Sequence, residues 1–482
     1  MKTVGTPAAR LTVAFALALW IALSQIPHPR PVPLPAGAPA TEFSAARAIE
    51  HVRAIAQKPH PLESAEHDRV RDYIVHEFAK LGLAPNIQTG YAEITLGKFH
   101  GSGNVQNIVS RLLGADNAGF PSNTPFPDVK NRGDGDRVGS DAVMLAAHYD
   151  SVPRGPGAGD DGHGVGVLLE TARALRAGPP LRNDVIFLIT DGEERGLLGA
   201  QVFMREHPWR FRPGVVLNFE ARGTSGEAVM FETSTDNEWL IRGLQSAVPD
   251  AVATSVAYEI YRRMPNNTDL TIFKRGGLAG MNFAFIEHPE YYHTAQDTVE
   301  HLDPVSVQEQ GRYALSLARW FGNRGLTVHP PGDAVYFTTA FTSLIVYPTK
   351  FAVILAVLTL LGAGAATWRG GWIGVPLLLL SSFHMWLVNA APGVSYIVAW
   401  PLLGAVIAVI LLATAPPVFR PGWRVAAIAL CAAPGFLLII PLVSSLIVAL
   451  SFRGAAPVLA AAAILMLICL LPQLQFMLRT KT

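Results

Sequence analysis

Cysteine is almost missing from this 482-residue chain: Cys431 and Cys469 are the only two, and both lie inside apolar stretches. The polar part of the sequence therefore has no disulfide framework and no thiolate metal site, and any metal bound there must use histidine and carboxylates. A surplus of charge is missing too. Lysine and arginine number 38 against 37 aspartates and glutamates, a formal net charge of +1, and the basic residues form no dense run of the kind that tracks a phosphate backbone. Nucleic acid is not an expected partner. The second half lacks polarity: from Phe337 to Leu478 the residues are mostly Leu, Ala, Val and Ile. A core surrounded by water needs polar faces between its apolar stripes, so this half belongs in lipid.

What is present is unevenly spread. From about Lys98 to Asn323 the composition is mixed and rich in His, Asp and Glu. Leu11 to Ile26 is an apolar run after Lys2 and Arg10, either a signal peptide or an uncleaved anchor. The small-residue pattern Ala38-Pro39-Ala40 lies far from that run, which favours the anchor. The proline-rich piece His28 to Pro39 reads as an extended spacer lifting a domain off the bilayer. A lipid-spanning helix needs about 20 apolar residues, and five later stretches qualify: Phe341 to Thr367, Trp372 to Asn389, Ser395 to Ala415, Val425 to Leu450 and Ala456 to Leu478. With these spans Lys2, Arg10, Arg369, Arg420, Arg424, Arg479 and Lys481 share one side, and Arg453 alone falls in a short loop opposite. Positive charge marks the cytoplasmic side, which puts the polar domain outside the cytoplasm.

Chemistry concentrates where apolar strands end in acids. Val143 to Ala147 runs into His148-Tyr-Asp150, placing His148 as a candidate ligand at a strand's carboxyl end, with Asp150 placed to orient its imidazole. Gly157-Ala-Gly-Asp160-Asp161-Gly-His163-Gly164 then leads into an apolar run of helical spacing; Asp160 sits at the loop-to-helix junction and Asp161 suits a helix cap. Asp184 to Thr190 is followed by Asp-Gly-Glu193-Glu194. Adjacent carboxylates directly after a buried strand repel one another unless a cation intervenes, and one can ligate metal while its neighbour takes a proton from water. Two more segments deliver Glu220, after Val215-Val-Leu-Asn-Phe, and His293, within Tyr291-Tyr292-His293-Thr-Ala-Gln-Asp297-Thr. Such a set of His, Asp and Glu suits two borderline ions bridged by one carboxylate.

The words AHYDS, GAGDDGHG, DGEERGLLGA, LNFEARG and YYHTAQDT, in this order over about Thr41 to Gly322, resemble peptidase family M28, the zinc exopeptidases. The resemblance implies an α/β domain of three layers around a mixed central sheet, here joined to an all-α transmembrane bundle. It further implies two zinc ions, His148 and Glu220 on one, Glu194 and His293 on the other, Asp160 between them, and Glu193 as general base; Asp150, through the His148 imidazole, is the other catalytic candidate. Glu220 stands where soluble aminopeptidases commonly carry Asp, a variant similar to the membrane-bound endoplasmic reticulum metallopeptidase branch. His163 replaces a usual small residue and is a candidate extra ligand. The stretch Arg262-Arg263-Met-Pro-Asn-Asn-Thr268-Asp269 resembles a substrate-side loop, so Arg262 and Asp269, with Tyr292, are candidate substrate contacts; a solvated polar loop is the alternative.

The expected organisation is an anchor at 1–27, a spacer at 28–40, a zinc peptidase domain at 41–325 and a membrane domain of about five helices at 338–479. The expected activity is that of an aminopeptidase, with peptide substrate and membrane lipid as partners; the oligomeric state is not indicated. Two other readings are a catalytically silent, receptor-like ectodomain and a glutaminyl-cyclase-like aminoacyl transferase with a single zinc. The compartment expected is the periplasmic side of a bacterial inner membrane, or an organelle lumen in a eukaryote.

Overall fold

A computed structural model describes residues 28–96, 99–117, 142–327, 329–339, 342–370 and 375–414. The chain divides into two units, Arg30–Gly332 and a second containing Asp333–Thr482 with the first 29 residues. The apolar runs at 11–26, 425–450 and 456–478 lie outside the described residues.

The first unit opens with helices α1 (Ala45–Ile55) and α2 (Ala65–Lys80), whose N-caps Ser44 and Ser64 accept the N–H groups of Arg47 and His67. Strands β1 (Asn86–Leu96), β2 (Phe99–Leu112) and β3 (Ala142–His148) follow, then α3 (His163–Arg176), β4 (Asp184–Thr190), α4 (Leu198–Glu206) and β5 (Pro213–Ala221). The unit continues through β6 (Val229–Thr233), α5 (Glu238–Ala247), β7 (Val252–Ala253), α6 (Ser255–Tyr261), α7 (Asp269–Arg275), β8 (Gly280–Phe285) and α8 (Pro304–Gly322). The eight strands form one mixed sheet in the order β1-β2-β4-β3-β5-β8-β6-β7. The central neighbours β4, β3, β5 and β8 are parallel, and both flanks turn antiparallel. β3 and β4 are buried along their whole length, which is why they read as continuous apolar runs rather than alternating ones.

Helices cover both faces. Ile186 and Leu188 of β4 and Met144 and Ala146 of β3 meet Phe203 of α4 and Leu270 and Phe273 of α7. On the other face Phe187 meets Phe78 of α2, with ring centroids 5.7 Å apart, and α1, α3 and α8 pack on one another. The register pairs His148 with Thr190, so β3 and β4 release their polar continuations side by side at the carboxyl edge.

The proline-rich segment is not a free spacer. Arg30 donates to the carbonyl of Gly226 at 2.8 Å and to Ser306 Oγ at 3.0 Å, and the Leu34 N–H donates to Gln308 Oε1 at 2.8 Å. Arg47 donates to the carbonyls of Ala36 and Ala38. Prolines set the extended conformation, but these bonds strap residues 30–40 onto α1 and α8, so the compact unit begins at Arg30 rather than Thr41.

In the second unit, β9 (Ala334–Thr339) and β10 (Thr342–Pro348) form an antiparallel hairpin, followed by α9 (Thr349–Gly370), α10 (Val375–Ala390) and α11 (Ser395–Thr414). The span expected from Phe341 therefore starts at Thr349; residues 342–348 are β-branched and aromatic enough to pair as a strand while remaining apolar. Thr349–Trp368 and Pro392–Ile410 are long and apolar enough to cross a membrane by length and composition, whereas α10 has 16 residues. Ala363, Ala366, Leu377, Leu402 and Ala405 face inward, while Leu361, Trp368, Leu379 and Trp386 are exposed. Polar groups turn inside: Ser381 Oγ donates to the Thr359 carbonyl at 3.2 Å, and Thr359 Oγ1 is 3.3 Å from His384 Nδ1. Small and polar residues inward with large apolar ones outward is a pattern suited to lipid.

Helix α8 fixes one wall of the functional edge through Gln310, and the neighbouring Gly311 lets Phe43 in: a Cβ at Gly311 would lie 2.0 Å from the Phe43 ring. Gly311→Ala should destabilise the unit by about 1–3 kcal/mol, read as a lower thermal midpoint. In combination with Phe43→Ala the cost should fall below the sum of the two, because the clash is then relieved.

Candidate metal centre

Three strand ends and two loops meet at the carboxyl edge of the sheet. His148 ends β3, Glu220 lies near the end of β5, Glu193 and Glu194 follow β4, Asp160 precedes α3, and His293 comes from the loop after β8. Asp160 is the centre of the set. Its Oδ1 lies 3.2 Å from His148 Nε2, and its Oδ2 lies 3.0 Å from His293 Nε2. One carboxylate thus presents an oxygen to each of two histidines. Each histidine has a second acid: Glu220 Oε2 is 3.8 Å from His148 Nε2, and Glu194 Oε1 is 3.0 Å from His293 Nε2. The candidate ligand atoms of His148, Asp160 and Glu220 lie within 4.8 Å of one another, and so do those of Asp160, Glu194 and His293.

The donor set fits zinc. It contains only imidazole nitrogens and carboxylate oxygens, and its two groups of three share the carboxylate of Asp160. Burial alone would lower the His148 and His293 pKa values. Hydrogen bonds to Asp150 and Asp160 nevertheless raise His148 well above the ordinary range, and those to Asp160 and Glu194 push His293 to about 10. Burial and the neighbouring acids raise Glu193 strongly, Glu194 to about 7 and Glu220 to about 8. For Asp160, burial is outweighed by both histidines, and its carboxyl is held below the usual range.

The groups around this centre fix it by backbone hydrogen bonds. Asp150 accepts the N–H of Glu193 on Oδ1 at 3.0 Å and the N–H of Glu194 on Oδ2 at 3.2 Å. Its backbone carbonyl lies 3.0 Å from His148 Nδ1. One residue therefore sets both the acid pair and the imidazole. Asp161 accepts the Gly164 N–H in the first turn of α3 and also the His148 N–H at 3.1 Å. Asp297 accepts from Gly159 at 2.6 Å and Asp160 at 3.1 Å, gripping the peptide that carries the central carboxylate. Gly159 must be glycine here, since a Cβ would meet the Gly223 carbonyl at 2.5 Å.

Among the remaining expected residues, His163 is not at the centre. Its Nδ1 meets the Gly159 carbonyl at 2.5 Å and its Nε2 meets Gln310 Oε1 at 2.6 Å, so both nitrogens are committed and a ligand role is excluded. Asp269 is buried, with the Thr190 hydroxyl donating to its Oδ2; burial lifts its carboxyl to about 6. It belongs to the acidic interior rather than to a solvated loop. Arg262 is bound by Glu259 at 2.7 Å, and Arg263 shares the same carboxylate. The Arg262 side chain nevertheless stays 44% exposed. Tyr292 stacks on His293 with centroids 3.7 Å apart.

Sequence reasoning missed several supports. Asn218 donates to Glu220 Oε1 at 3.0 Å, and Gln310 donates to the Glu220 carbonyl at 3.0 Å. His67 of α2 lies 2.7 Å from Asp191 and stacks on Tyr149, behind both ligand turns. Asp297 and Asn218 lay within the recognisable words, two to four residues from a ligand; His67 and Gln310 carried no local signal.

Residues 130–318 match the model of peptidase family M28. The chain is 32% identical to endoplasmic reticulum metallopeptidase 1 of Rattus norvegicus over 46% of this chain and 26% of the relative. To the vacuolar membrane protease of Yarrowia lipolytica it is 26% identical, over 64% of this chain and 31% of that one. The chain thus matches under a third of each relative's length. Among solved structures it is similar to an aminopeptidase from Aneurinibacillus sp. strain AM-1, with TM-score 0.47 and 14% identity over 61% of this chain and 98% of that one. It is also similar to a glutaminyl cyclase of Porphyromonas gingivalis, with TM-score 0.43 and 22% identity over 57% and 98% of the two chains.

The pKa shifts give a signed expectation. A group whose folded pKa is raised stabilises the fold fully below its unfolded value and loses that contribution as pH rises through the folded value. Glu194 and Glu220 rise from 4.5 to about 7 and about 8, and His293 from 6.5 to about 10. All three act in one direction. In chelator, the thermal midpoint should fall from about pH 5 to about pH 8, and the fall should be shallower in Glu220→Gln. Zinc should reverse it over the same interval, because binding requires the deprotonated ligands.

Proposed function

We propose that this chain, whose residues 130–318 match the model of peptidase family M28, is a membrane-anchored exopeptidase working with two zinc ions. The most economical activity is that of an aminopeptidase acting on peptides outside the cytoplasm. One observation carries this reading: Asp160 turns a different oxygen towards each of two histidines, and each histidine has its own second acid. A single ion needs no carboxylate shared in this way.

Zinc held there would polarise the scissile carbonyl and make the attacking water more acidic. The protein's own part is proton handling and positioning. Glu193 takes the proton from the attacking water and returns it to the leaving amine. Burial first, then the nearby acids Glu220, Glu194 and Asp269, raises its pKa despite the opposing pull of His148, which suits a group that must hold a proton between those two steps. Asp150 acts through others, fixing the Glu193 and Glu194 N–H groups and the His148 ring. His148 and His293 serve as neutral ligands.

Glu193→Gln should retain bound zinc and lower kcat by about 10²- to 10⁴-fold on aminoacyl fluorogenic substrates. Activity equal to wild type would sink the proton-transfer role, and no activity in wild type on any peptide would favour a silent ectodomain. Metal analysis of the purified chain should return two zinc ions; a ratio of one would favour a cyclase-like aminoacyl transfer.

The anchoring is supported by the apolar helices Thr349–Trp368 and Pro392–Ile410 and by the names of the relatives, which place them in the endoplasmic reticulum and the vacuolar membrane. The one-sided distribution of Lys and Arg in the apolar half supports a periplasmic domain in a bacterium, or a lumenal one in an organelle. In right-side-out vesicles, a cysteine introduced at the exposed Arg182 should react with an impermeant thiol reagent. One introduced at Arg420 should react only after permeabilisation. The opposite pattern would reverse the topology.

A further inference from the structure

We infer that Arg222 receives a carboxylate of the substrate, which makes the site selective for short peptides bearing a free carboxylate close to the scissile bond. The inference rests on the peptidase reading above and adds the substrate class.

Arg222 lies two residues beyond Glu220, past the end of β5, and its backbone N–H donates to the Phe285 carbonyl at 3.0 Å. That bond fixes its Cα at the same edge of the sheet as the metal ligands. The next residue, Gly223, presents its carbonyl to Gly159, the residue before Asp160. The guanidinium carbon stands 5.9 Å from the centroid of the Tyr292 ring, and that ring stacks on His293 at 3.7 Å. The side chain is exposed, and among the described residues no acid pairs with it. Four other arginines of this unit are spent internally: Arg262 and Arg263 on Glu259, Arg47 and Arg173 on Glu170.

A guanidinium resting on an aromatic face keeps its N–H edge free, and that edge matches a carboxylate in a planar, two-bond geometry that lysine cannot reproduce. The interior beside it is strongly acidic, with Glu193, Glu194, Glu220 and Asp269 all buried or nearly so. A substrate carboxylate approaching this edge needs a cation of its own, and Arg222 is the exposed one that touches the aromatic ring beside a ligand. The carboxylate has two sources, the carboxyl terminus of a short peptide or an Asp or Glu side chain.

The test uses the zinc-loaded full chain in detergent and three peptides that share a scissile Leu-Xaa bond: a dipeptide with a free carboxyl terminus, its amide, and an amide whose second residue is Glu. The expected result is that wild type favours one or both carboxylate-bearing peptides over the neutral amide, and the preferred one identifies the source. Arg222→Gln should lower kcat/KM for that peptide by about 10- to 100-fold, mostly through KM. The neutral amide should be unaffected, and Arg222→Lys should recover only part of the loss. An equal loss on all three peptides would reduce Arg222 to a prop for Tyr292 and His293 and overturn the inference, as would a wild type without preference. Those outcomes leave the peptidase reading standing. That reading fails separately if Glu193→Gln hydrolyses the neutral amide as fast as wild type.

Discussion

Carboxylates that cannot reach water must meet either a proton or a cation, and the carboxyl edge of this sheet is organised by that requirement. Asp160, Glu193, Glu194 and Glu220 converge with only two imidazoles between them. The two histidines cannot neutralise four acids. The raised pKa values of Glu193, Glu194 and Glu220 record the deficit, and ions of charge two at the two triads would remove it. Such a cluster is unstable as an accident of packing, because replacing any of these acids by an apolar residue would relieve the repulsion. Its presence on five separate segments is intelligible only as a site.

The surrounding structure spends backbone donors to hold the acids in place. Asp150 takes the N–H groups of both Glu193 and Glu194, Asp161 takes those of His148 and Gly164, and Asp297 takes those of Gly159 and Asp160. Each of these aspartates ties a turn either to itself or to a second segment. The layer is thereby fixed by groups that do not ligate metal, which leaves the ligand oxygens free to face inward. Gln310 and Asn218 extend the same logic to Glu220 by holding its carbonyl and its carboxylate. His67 reaches the turn before Glu193 from the opposite side, through Asp191.

Reading these features from sequence succeeds where a signal is local and fails where it is not. Each strand that leads to His148, Glu193 or Glu220 is an apolar run closed by a polar residue, and the register of a parallel sheet then brings the ends together. The grip of Asp297 on Asp160 spans 137 positions and leaves no periodic trace. His163 misleads for the same reason, since its commitment to Gly159 and Gln310 depends on where α8 docks. The spacer misleads differently. Proline fixes φ and so predicts extension, but composition is silent on whether the extended chain finds partners, and Arg30 and the Leu34 N–H find acceptors on the domain.

The apolar half inverts the same accounting. In the first unit, polar atoms at the sheet edge are satisfied by backbone N–H groups; in the second, Thr359, Ser381 and His384 turn towards one another, while Trp368, Leu361 and Leu379 face outward. With Trp368 90% exposed, that distribution suits apolar surroundings better than water. In lipid the cost falls instead on unsatisfied polar atoms, so they collect between helices. The hairpin Ala334–Pro348 is apolar enough to pass for the start of a span, yet it pairs its backbone groups strand to strand before the first long helix begins at Thr349. Hydropathy measures only the side chains. Where backbone donors find their partners decides whether an apolar stretch crosses a membrane as a helix or ends outside it as a sheet.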